Sequence, residues 1–319
     1  MRLTVVLCVL SAAEFCLAQA PIKVDVNQAE EPIRVGVNLV NVTFVARDAG
    51  GKAVTDLARE EVEVFEDGVP QTVAFFARSA DVPLALAIAV DFSGSQEHSL
   101  KKHHKDLQTF LREALGPRDR VSLICFGNFL RLVSNSTASG DSLIEGLQRF
   151  EKGERGFPLV GPREVRTGGT AFYDTVYYPV TELLVRAENM RRALIVLSDG
   201  EDNSSSHHML EAIESAQAAG APIFCIRYTE IAGDGPIARN RYGTEVMERL
   251  AHETGGSHID AAKTDLRSAF RRIGEELRTS YELAYHSTNA TKDGTFRKIA
   301  IRLKRPGATT RAKTGYIAR

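Results

Sequence analysis

The sequence has little of what defines several large classes of protein. Its basic and acidic side chains nearly balance, with a formal net charge of −1, which argues against a protein that coats nucleic acid. We therefore expect no nucleic-acid partner. Beyond the first twenty residues no segment approaches 18 consecutive apolar residues, so we expect no transmembrane segment in the mature chain.

Cysteine is scarce as well, with four in the chain. Two of them, Cys8 and Cys16, lie within the first twenty residues. Cys125 and Cys225 lie in apolar runs, where a buried thiol acts as a small hydrophobic side chain. Because a disulfide would require the two strands to be neighbours, we expect two separate buried thiols.

The first twenty residues have the features of an export signal. Arg2 supplies the positive end, residues 3–17 are mostly apolar, and Ala18-Gln19-Ala20 has the small-x-small pattern that a signal peptidase requires. This pattern predicts cleavage after Ala20 and a secreted protein, periplasmic or in the cell envelope. Residues 21–33 are interpreted as a linker.

The middle of the chain, residues 80–280, alternates apolar runs with amphipathic ones. Such alternation predicts an α/β domain with a doubly wound, mostly parallel sheet covered by helices on both faces. The predicted strands are 84–90, 121–126, 130–133, 193–197, 223–228 and 258–259. The predicted helices are 99–115, 142–150, 172–187, 209–219, 245–254 and 266–279.

The two flanks, residues 34–79 and 281–319, read as short strands and turns. Residues 62–65, the turn 66–68 and residues 73–76 have the composition of a hairpin. In the second flank, Ile299 and Ile301 alternate with charged residues, which is typical of the wet face of an edge strand. Neither flank is long enough for a core of its own, so we predict one small β-sandwich with the α/β domain inserted between its halves.

Polar residues follow three of the predicted elements at positions that should share one sheet edge. Asp91, Ser93 and Ser95 follow the first parallel strand, Thr170 begins a helix, and Asp199 ends a central strand. Together they offer two carboxylates and three hydroxyls, without a thiolate or an imidazole. Oxygen ligands of this kind suit a hard cation such as Mg²⁺, with Mn²⁺ and Ca²⁺ as alternative ions.

These residues resemble the von Willebrand factor A (VWA) family and its metal-ion-dependent adhesion site. The family places a D-x-S-x-S motif after the first strand, a Thr in a later loop and an Asp after the fourth strand, and this chain matches all five positions in order. The resemblance implies that the hydroxyls and, largely through water, the carboxylates hold a divalent metal, whose coordination a protein partner completes with a carboxylate. It also implies that Cys125 and Cys225 are unpaired.

The flanks resemble a secreted group of VWA-related proteins found mainly in acidobacteria. The residues that carry this likeness are 54–57, 62–71 and the closing 305–316.

Two enzyme classes share single features with this sequence but lack residues that their chemistry requires. A haloacid-dehalogenase-like phosphatase also has an Asp after the first strand, and residues 198–203 are similar to its late acidic motif. Such an enzyme needs a second Asp two residues after the first, as general acid and base, and this chain has Ser93 at that position. A serine hydrolase lacks its Gly-x-Ser-x-Gly elbow. The paired histidines, 103–104 and 207–208, lack a zinc-protease arrangement and are interpreted as exposed helix residues.

The sequence thus favours an exported, metal-dependent protein-binding or adhesion module and not an enzyme. The alternative is a structural or scaffold component of an envelope assembly, in which the metal only stiffens the domain. The sequence does not indicate an oligomeric state.

Overall fold

The computed structural model of the chain describes residues 39–93, 107–108, 110–111, 115–162, 168–228 and 238–319, with the backbone alone at 238–240. The strands are β1 (Leu39–Arg47), β2 (Val62–Glu66), β3 (Val69–Gln71), β4 (Val73–Arg78), β5 (Leu84–Asp91), β6 (Arg120–Phe126), β7 (Leu130–Thr137), β8 (Arg191–Ser198), β9 (Ile223–Arg227), β10 (His258–Asp260), β11 (Tyr281–His286), β12 (Phe296–Leu303), β13 (Thr309–Ala312) and β14 (Gly315–Ile317). The α-helices are α1 (Gly140–Glu151), α2 (Phe172–Tyr178), α3 (Met209–Ala219), α4 (Ala238–Thr254) and α5 (Leu266–Thr279). A 3₁₀ turn, Arg59–Glu61, precedes β2, and a π-helical turn, Pro179–Leu183, and a 3₁₀ turn, Leu184–Arg186, follow α2.

A six-stranded sheet forms the centre of the α/β domain, in the order β10-β9-β8-β5-β6-β7. All neighbouring pairs are parallel except β6 and β7, which are antiparallel. The parallel strands therefore end at one edge of the sheet, where ligands bind in folds of this type.

Strand β5 shows why this sheet lies in the middle of the core. Its eight residues are all buried. Leu86 and Ile88 pack into one hydrophobic cluster, while Ala87 and Ala89 pack into a second cluster on the other face. Successive side chains of a strand point to opposite faces, so an unbroken apolar run is stable only with hydrophobic layers on both sides.

The flanks form two four-stranded antiparallel sheets, ordered β13-β1-β11-β4 and β14-β12-β2-β3. Each sheet combines strands that precede the α/β domain with strands that follow it. A shared hydrophobic cluster joins them, with Phe44 and Tyr281 from one sheet and Val64 and Ile299 from the other. The predicted fold class is confirmed: a mostly parallel α/β sheet lies, in sequence, between the halves of a small antiparallel β structure.

The hairpin prediction was correct in part. Strands β2 and β3 pair across Asp67 and Gly68, whose φ angles of 49° and 82° suit the tight turn. Strand β4, however, leaves this hairpin and pairs with β11 in the other sheet. The prediction of an edge strand at 299–303 was correct in part. Strand β12 lies between β14 and β2, but its pairing with β14 covers residues 296–298 and its pairing with β2 covers residues 299–303.

Two helix predictions differ from the structure in extent. The predicted helix 172–187 is α-helical only to Tyr178, because Pro179 has no amide hydrogen to continue the α-helical bonding. Helix α4 begins at Ala238, seven residues earlier than predicted. The predicted helix 99–115 lies largely outside the described residues, but Leu107, Phe110 and Leu111 are helical and buried.

Both thiols of the α/β domain are buried and unpaired, as expected. Cys125 lies on β6 and Cys225 on β9, and β5 and β8 separate these strands in the sheet. Within the described residues, no helix combines the length and apolar character needed to cross a membrane.

Candidate metal centre

Asp91 is the last residue of β5 and its residue surface is 1% exposed. Its Oδ1 accepts a 2.8 Å hydrogen bond from the backbone N–H of Ser93, which closes the turn after the strand. Its Oδ2 accepts a 2.6 Å hydrogen bond from the hydroxyl of Ser198. The backbone N–H of Phe92 donates to the carbonyl of Phe126, so the turn stays joined to β6.

Thr170 lies in the loop that leads into α2 and is buried. Its backbone N–H donates a 2.7 Å hydrogen bond to Oδ1 of Asn203, and its carbonyl accepts from the N–H of Asn203. The preceding Gly169 has a φ of +97°, and a Cβ there would lie 2.3 Å from the same Asn203 oxygen. Only glycine fits this close approach, so Gly169 sets the path of the chain into Thr170.

Asp199 follows β8 directly and is 7% exposed. Its Oδ1 accepts a hydrogen bond from the N–H of Glu201 at 3.1 Å. Gly200, at φ +83°, turns the backbone toward α4. The approach is so close that a Cβ on Gly243 of α4 would lie 2.2 Å from the Asp199 carbonyl oxygen. Helix α4 therefore packs directly on the loop that carries Asp199.

Strand pairing and loop contacts bring these residues to one edge. Strands β5 and β8 pair in parallel up to Val90 and Leu197, which places Asp91 and the loop of Asp199 side by side. Gly127, just after β6, lies close to both of the other loops. A Cβ placed on it would be 3.9 Å from the Ser93 backbone N and 3.9 Å from the Gly169 carbonyl oxygen. The structure thus brings together the segments of Asp91, Ser93, Thr170 and Asp199, whereas Ser95 lies outside the described residues.

The electrostatics of Asp91 reflect its neighbours. Burial, together with the negative charge of Asp199, raises the pKa of its carboxyl to about 6, against the lowering effect of the hydrogen bonds from Ser198 and Ser93. Two buried carboxylates that repel each other favour protonation or a bound cation.

The donor set fits a hard divalent cation. It consists of carboxylate and hydroxyl oxygens, the ligands that Mg²⁺ prefers. Within the described residues there is no cluster of three or more His, Cys, Asp and Glu side chains arranged to hold a metal.

Sequence reasoning missed the residues that support this edge from behind. The role of Ser198 has no sequence signal, because a buried serine on an apolar strand has no distinctive pattern. Asp202 was noted only as part of an acidic run, but its Oδ1 accepts hydrogen bonds from the N–H groups of Phe172 at 2.8 Å and Tyr173 at 3.3 Å. It thus caps the start of α2, a role that Asp at a helix N-terminus often has.

The histidine prediction was wrong for His207. Its Nδ1 lies 2.8 Å from Oδ1 of Asp174, and its ring stacks on Tyr177 with the centroids 3.6 Å apart. It is half-buried and precedes α3, and its partner Asp174 is fully buried. His208, the residue before α3, is exposed, and the pair at 103–104 lies outside the described residues.

One protein family matches this chain by sequence. The family model of the von Willebrand factor type A domain matches residues 85–275. No curated protein sequence gives a match.

Among solved structures, an aerotolerance-related membrane protein from Bacteroides fragilis is 20% identical, with a TM-score of 0.44, over 61% of this chain and 98% of that one. A von Willebrand factor type A protein from Catenulispora acidiphila is 12% identical, with a TM-score of 0.45, over 89% of this chain and 74% of that one. A mussel byssus protein, proximal thread matrix protein 1 with a zinc-occupied MIDAS motif, is 13% identical, with a TM-score of 0.42, over 63% of this chain and 50% of that one.

Proposed function

Because the chain belongs to the von Willebrand factor type A domain family, we propose that it is an exported protein-binding module that works through a bound divalent cation. The ligands in this proposal are Asp91, Ser93, Ser95, Thr170 and Asp199. When bound, the cation supplies a concentrated positive charge with a coordination position open to an oxygen ligand. A carboxylate of a partner protein fits that position, since Mg²⁺ takes oxygen ligands and retains exchangeable waters.

The juxtaposition of two buried carboxylates carries the proposal. Asp91 and Asp199 are 1% and 7% exposed, and the charge of Asp199 raises the pKa of Asp91. A pair of like charges away from water is unfavourable, and a divalent cation beside them would offset the repulsion. Ser198 and the backbone of Ser93 hold the Asp91 carboxylate in a single orientation, so the chain's own donors prepare the site.

Mg²⁺ is the preferred ion in this proposal because only two carboxylates are present and the remaining ligands are neutral hydroxyls. Mg²⁺ needs one or two carboxylates and keeps several waters, whereas Ca²⁺ takes six to eight oxygen ligands. Mn²⁺ accepts the same oxygen ligands as Mg²⁺ and is included in the test.

Titration of metal chlorides into EDTA-treated protein tests the cation site. We expect saturable Mg²⁺ binding by calorimetry and a Tm that rises with Mg²⁺ concentration, because a ligand that binds only the folded state stabilises it. Asp199→Ala and Thr170→Ala should weaken Mg²⁺ binding more than about tenfold, the lower end of the effect of losing even an indirect metal contact. The exposed Asp81 provides the control, and Asp81→Ala should bind as the wild type does. Equal binding by all four proteins would remove these residues from the site.

A stiffening metal without a binding role is the second candidate function. The two are separated by capture of partners from cell-envelope extract, with wild type and Asp91→Ala, each in Mg²⁺ and in EDTA. Loss of capture in EDTA and in the variant supports metal-dependent binding. Capture that persists under both conditions favours the scaffold function, in which the metal only contributes stability.

Export and domain organisation complete the proposal. Residues 1–20 serve as the signal, 21–33 as a linker, 34–79 and 281–319 as the halves of the β-sandwich, and 80–280 as the VWA domain. N-terminal sequencing of the protein recovered from the periplasm or medium should begin at Pro21. A protein retained in the cytoplasm with an intact Met1 would contradict export.

A further inference from the structure

A polar pocket of about 420 Å³ lies at the ends of β9 and β10. The side chains that matter here are Arg227, Arg241, Lys263, His258, Glu248 and Asp260. The proposed metal site does not use any of them. Their mixture of cationic and hydrogen-bonding groups suits a small anionic group.

The pocket lies at the same edge of the sheet as the candidate metal centre. Ser198 of β8 is paired with Arg227 of β9, which in turn is paired with Asp260 of β10. Neighbouring strands are about 4.8 Å apart, so the backbone of Arg227 lies one strand spacing from the end of β8, where the loop of Asp199 starts. The metal centre lies between β8 and β5, and the pocket lies at β9 and β10. The two places are therefore separated by two to two and a half strand spacings, or about 10 to 12 Å.

Helix α4 connects the two places. Its Gly243 packs against the carbonyl of Asp199, and Arg241, two residues earlier, lines the pocket. Between them Tyr242 is 55% exposed. Its hydroxyl lies 3.2 Å from that of Tyr173 in α2, so an exposed aromatic ring stands between the pocket and the loop of Thr170.

The charges of the pocket leave room for one carboxylate. Among the described residues that line the pocket, Arg227, Arg241 and Lys263 face the acids Glu248 and Asp260, which leaves a net charge of +1 with His258 neutral. The Asp260 carboxylate lies 3.8 Å from the Arg227 guanidinium and 3.6 Å from the Lys263 ammonium, which is 82% exposed. One incoming carboxylate would balance the charge.

His258 lines the pocket beside Glu248. Its Nδ1 lies 3.6 Å from a carboxylate oxygen of Glu248. Its Nε2 is buried and has no hydrogen-bond partner among the described residues. Because this atom is enclosed by protein, it is not among the groups that would contact a ligand in the pocket.

We infer that this pocket is a second carboxylate subsite, and that the partner is an acidic segment with two carboxylates, one for the cation and one for the pocket. This inference rests on the proposed function, because the first carboxylate occupies the cation. An extended chain advances about 3.3 Å per residue, so the two acids would be about three positions apart. The exposed ring of Tyr242 would contact the residues between them.

Two fluorescein-labelled peptides test the inference on the full chain by anisotropy in Mg²⁺ and in EDTA. The first has two aspartates separated by two Gly/Ser residues, and the second has asparagine in place of the second aspartate. The test variant is Arg241→Gln with Lys263→Gln, both exposed positions. Arg186→Gln, at an exposed residue before the amino end of β8, is the matched control.

We expect the second aspartate to strengthen binding about fivefold in the wild type and the control, as one partly screened ion pair would. The double variant should bind both peptides equally and still require Mg²⁺. If the wild type binds both peptides equally and only with Mg²⁺, the second subsite is wrong while the metal-site proposal stands. If binding persists in EDTA, the proposed metal function itself fails.

Acetate provides a readout that needs neither a metal nor a peptide, and it decides the case in which neither peptide binds. In EDTA, acetate is titrated while the arginine Nε–H signals are followed by NMR. Saturable shifts at Arg227 and Arg241 in the wild type, with no saturable shift at Arg227 in the double variant, support the subsite. Shifts that stay linear with acetate concentration, or that occur equally in the double variant, overturn it.

Discussion

The hydroxyl of Ser198 donates a 2.6 Å hydrogen bond to Oδ2 of Asp91, across the parallel strands β8 and β5. The two residues are 107 positions apart in the chain, and both are buried. The bond holds the carboxylate in one orientation while Asp199, the next residue after Ser198, brings a second carboxylate to the same place. The end of β8 thus supplies the hydroxyl that stabilises the Asp91 carboxylate, and the next residue supplies a carboxylate that repels it.

Removing that donor should destabilise the protein. Ser198→Ala leaves a buried carboxylate oxygen without its hydroxyl partner, and we expect the free energy of unfolding in EDTA to fall by about 1–3 kcal/mol. Urea denaturation measures the change. Ser215→Ala, which removes only a hydroxyl bonded to the carbonyl of Ala212 in its own helix, should change stability by less than about 0.5 kcal/mol. An equal effect of the two substitutions would contradict a special role for Ser198.

A methyl group at Gly169 should disrupt the loop of Thr170. The Cβ would lie 2.3 Å from Oδ1 of Asn203 at a φ of +97°, so the chain must move and lose the hydrogen bond from the Thr170 N–H. Gly169→Ala should lower Mg²⁺ affinity by about tenfold or more, since contacts that orient metal ligands have effects of that size. Calorimetry gives the value. Gly156→Ala, where a Cβ has open space, is the control, and unchanged affinity in both variants would separate this loop from the metal.

Asp119 should make stability depend on pH in acid. Burial alone would raise its pKa, but hydrogen bonds from Leu84 N–H, Gly116 N–H and the Arg278 guanidinium outweigh burial and lower it below its ordinary value near 3.8. Its carboxylate therefore adds stability that is present above about pH 4 and is lost as pH falls through the folded-state pKa.

Asp119→Asn tests this sign. We expect the variant to be less stable than the wild type by about 1–3 kcal/mol at pH 7, with the difference shrinking below about pH 4. Urea melts between pH 3 and pH 7 measure it. A difference that stays constant over this range would show that the charge of Asp119 does not contribute.

Cys125 and Cys225 should resist alkylation in the folded protein. Both are 0% exposed, and burial raises the pKa of both thiols, so little thiolate forms at pH 8. Peptide mapping by mass spectrometry should find both unmodified after N-ethylmaleimide treatment of native protein and both modified after denaturation. A peptide in which the two are joined by a disulfide would contradict the sheet order.

The proposed ligands were accessible to sequence reasoning because of where they stand along the chain. Asp91 and Asp199 each follow an apolar strand, and Thr170 precedes a helix. In a parallel sheet such positions meet at one edge whatever the remaining details are. Prediction was weaker at Pro179, which interrupts a helical pattern. It was also weaker at β4, which pairs with β11 and not with the β2–β3 hairpin, because local composition does not show which strand will be the partner.

The amino-acid sequence by itself determined the α/β alternation, the burial of β5 on both faces and the oxygen character of the candidate site. Each follows from periodicity or residue type within a few neighbouring positions. Only the tertiary structure decided that Ser198 donates to Asp91, that Asn203 holds Thr170 and that Arg227 stands one strand from Ser198. These relationships depend on strand order and register, which bring together residues remote in the chain through the packing of the whole domain.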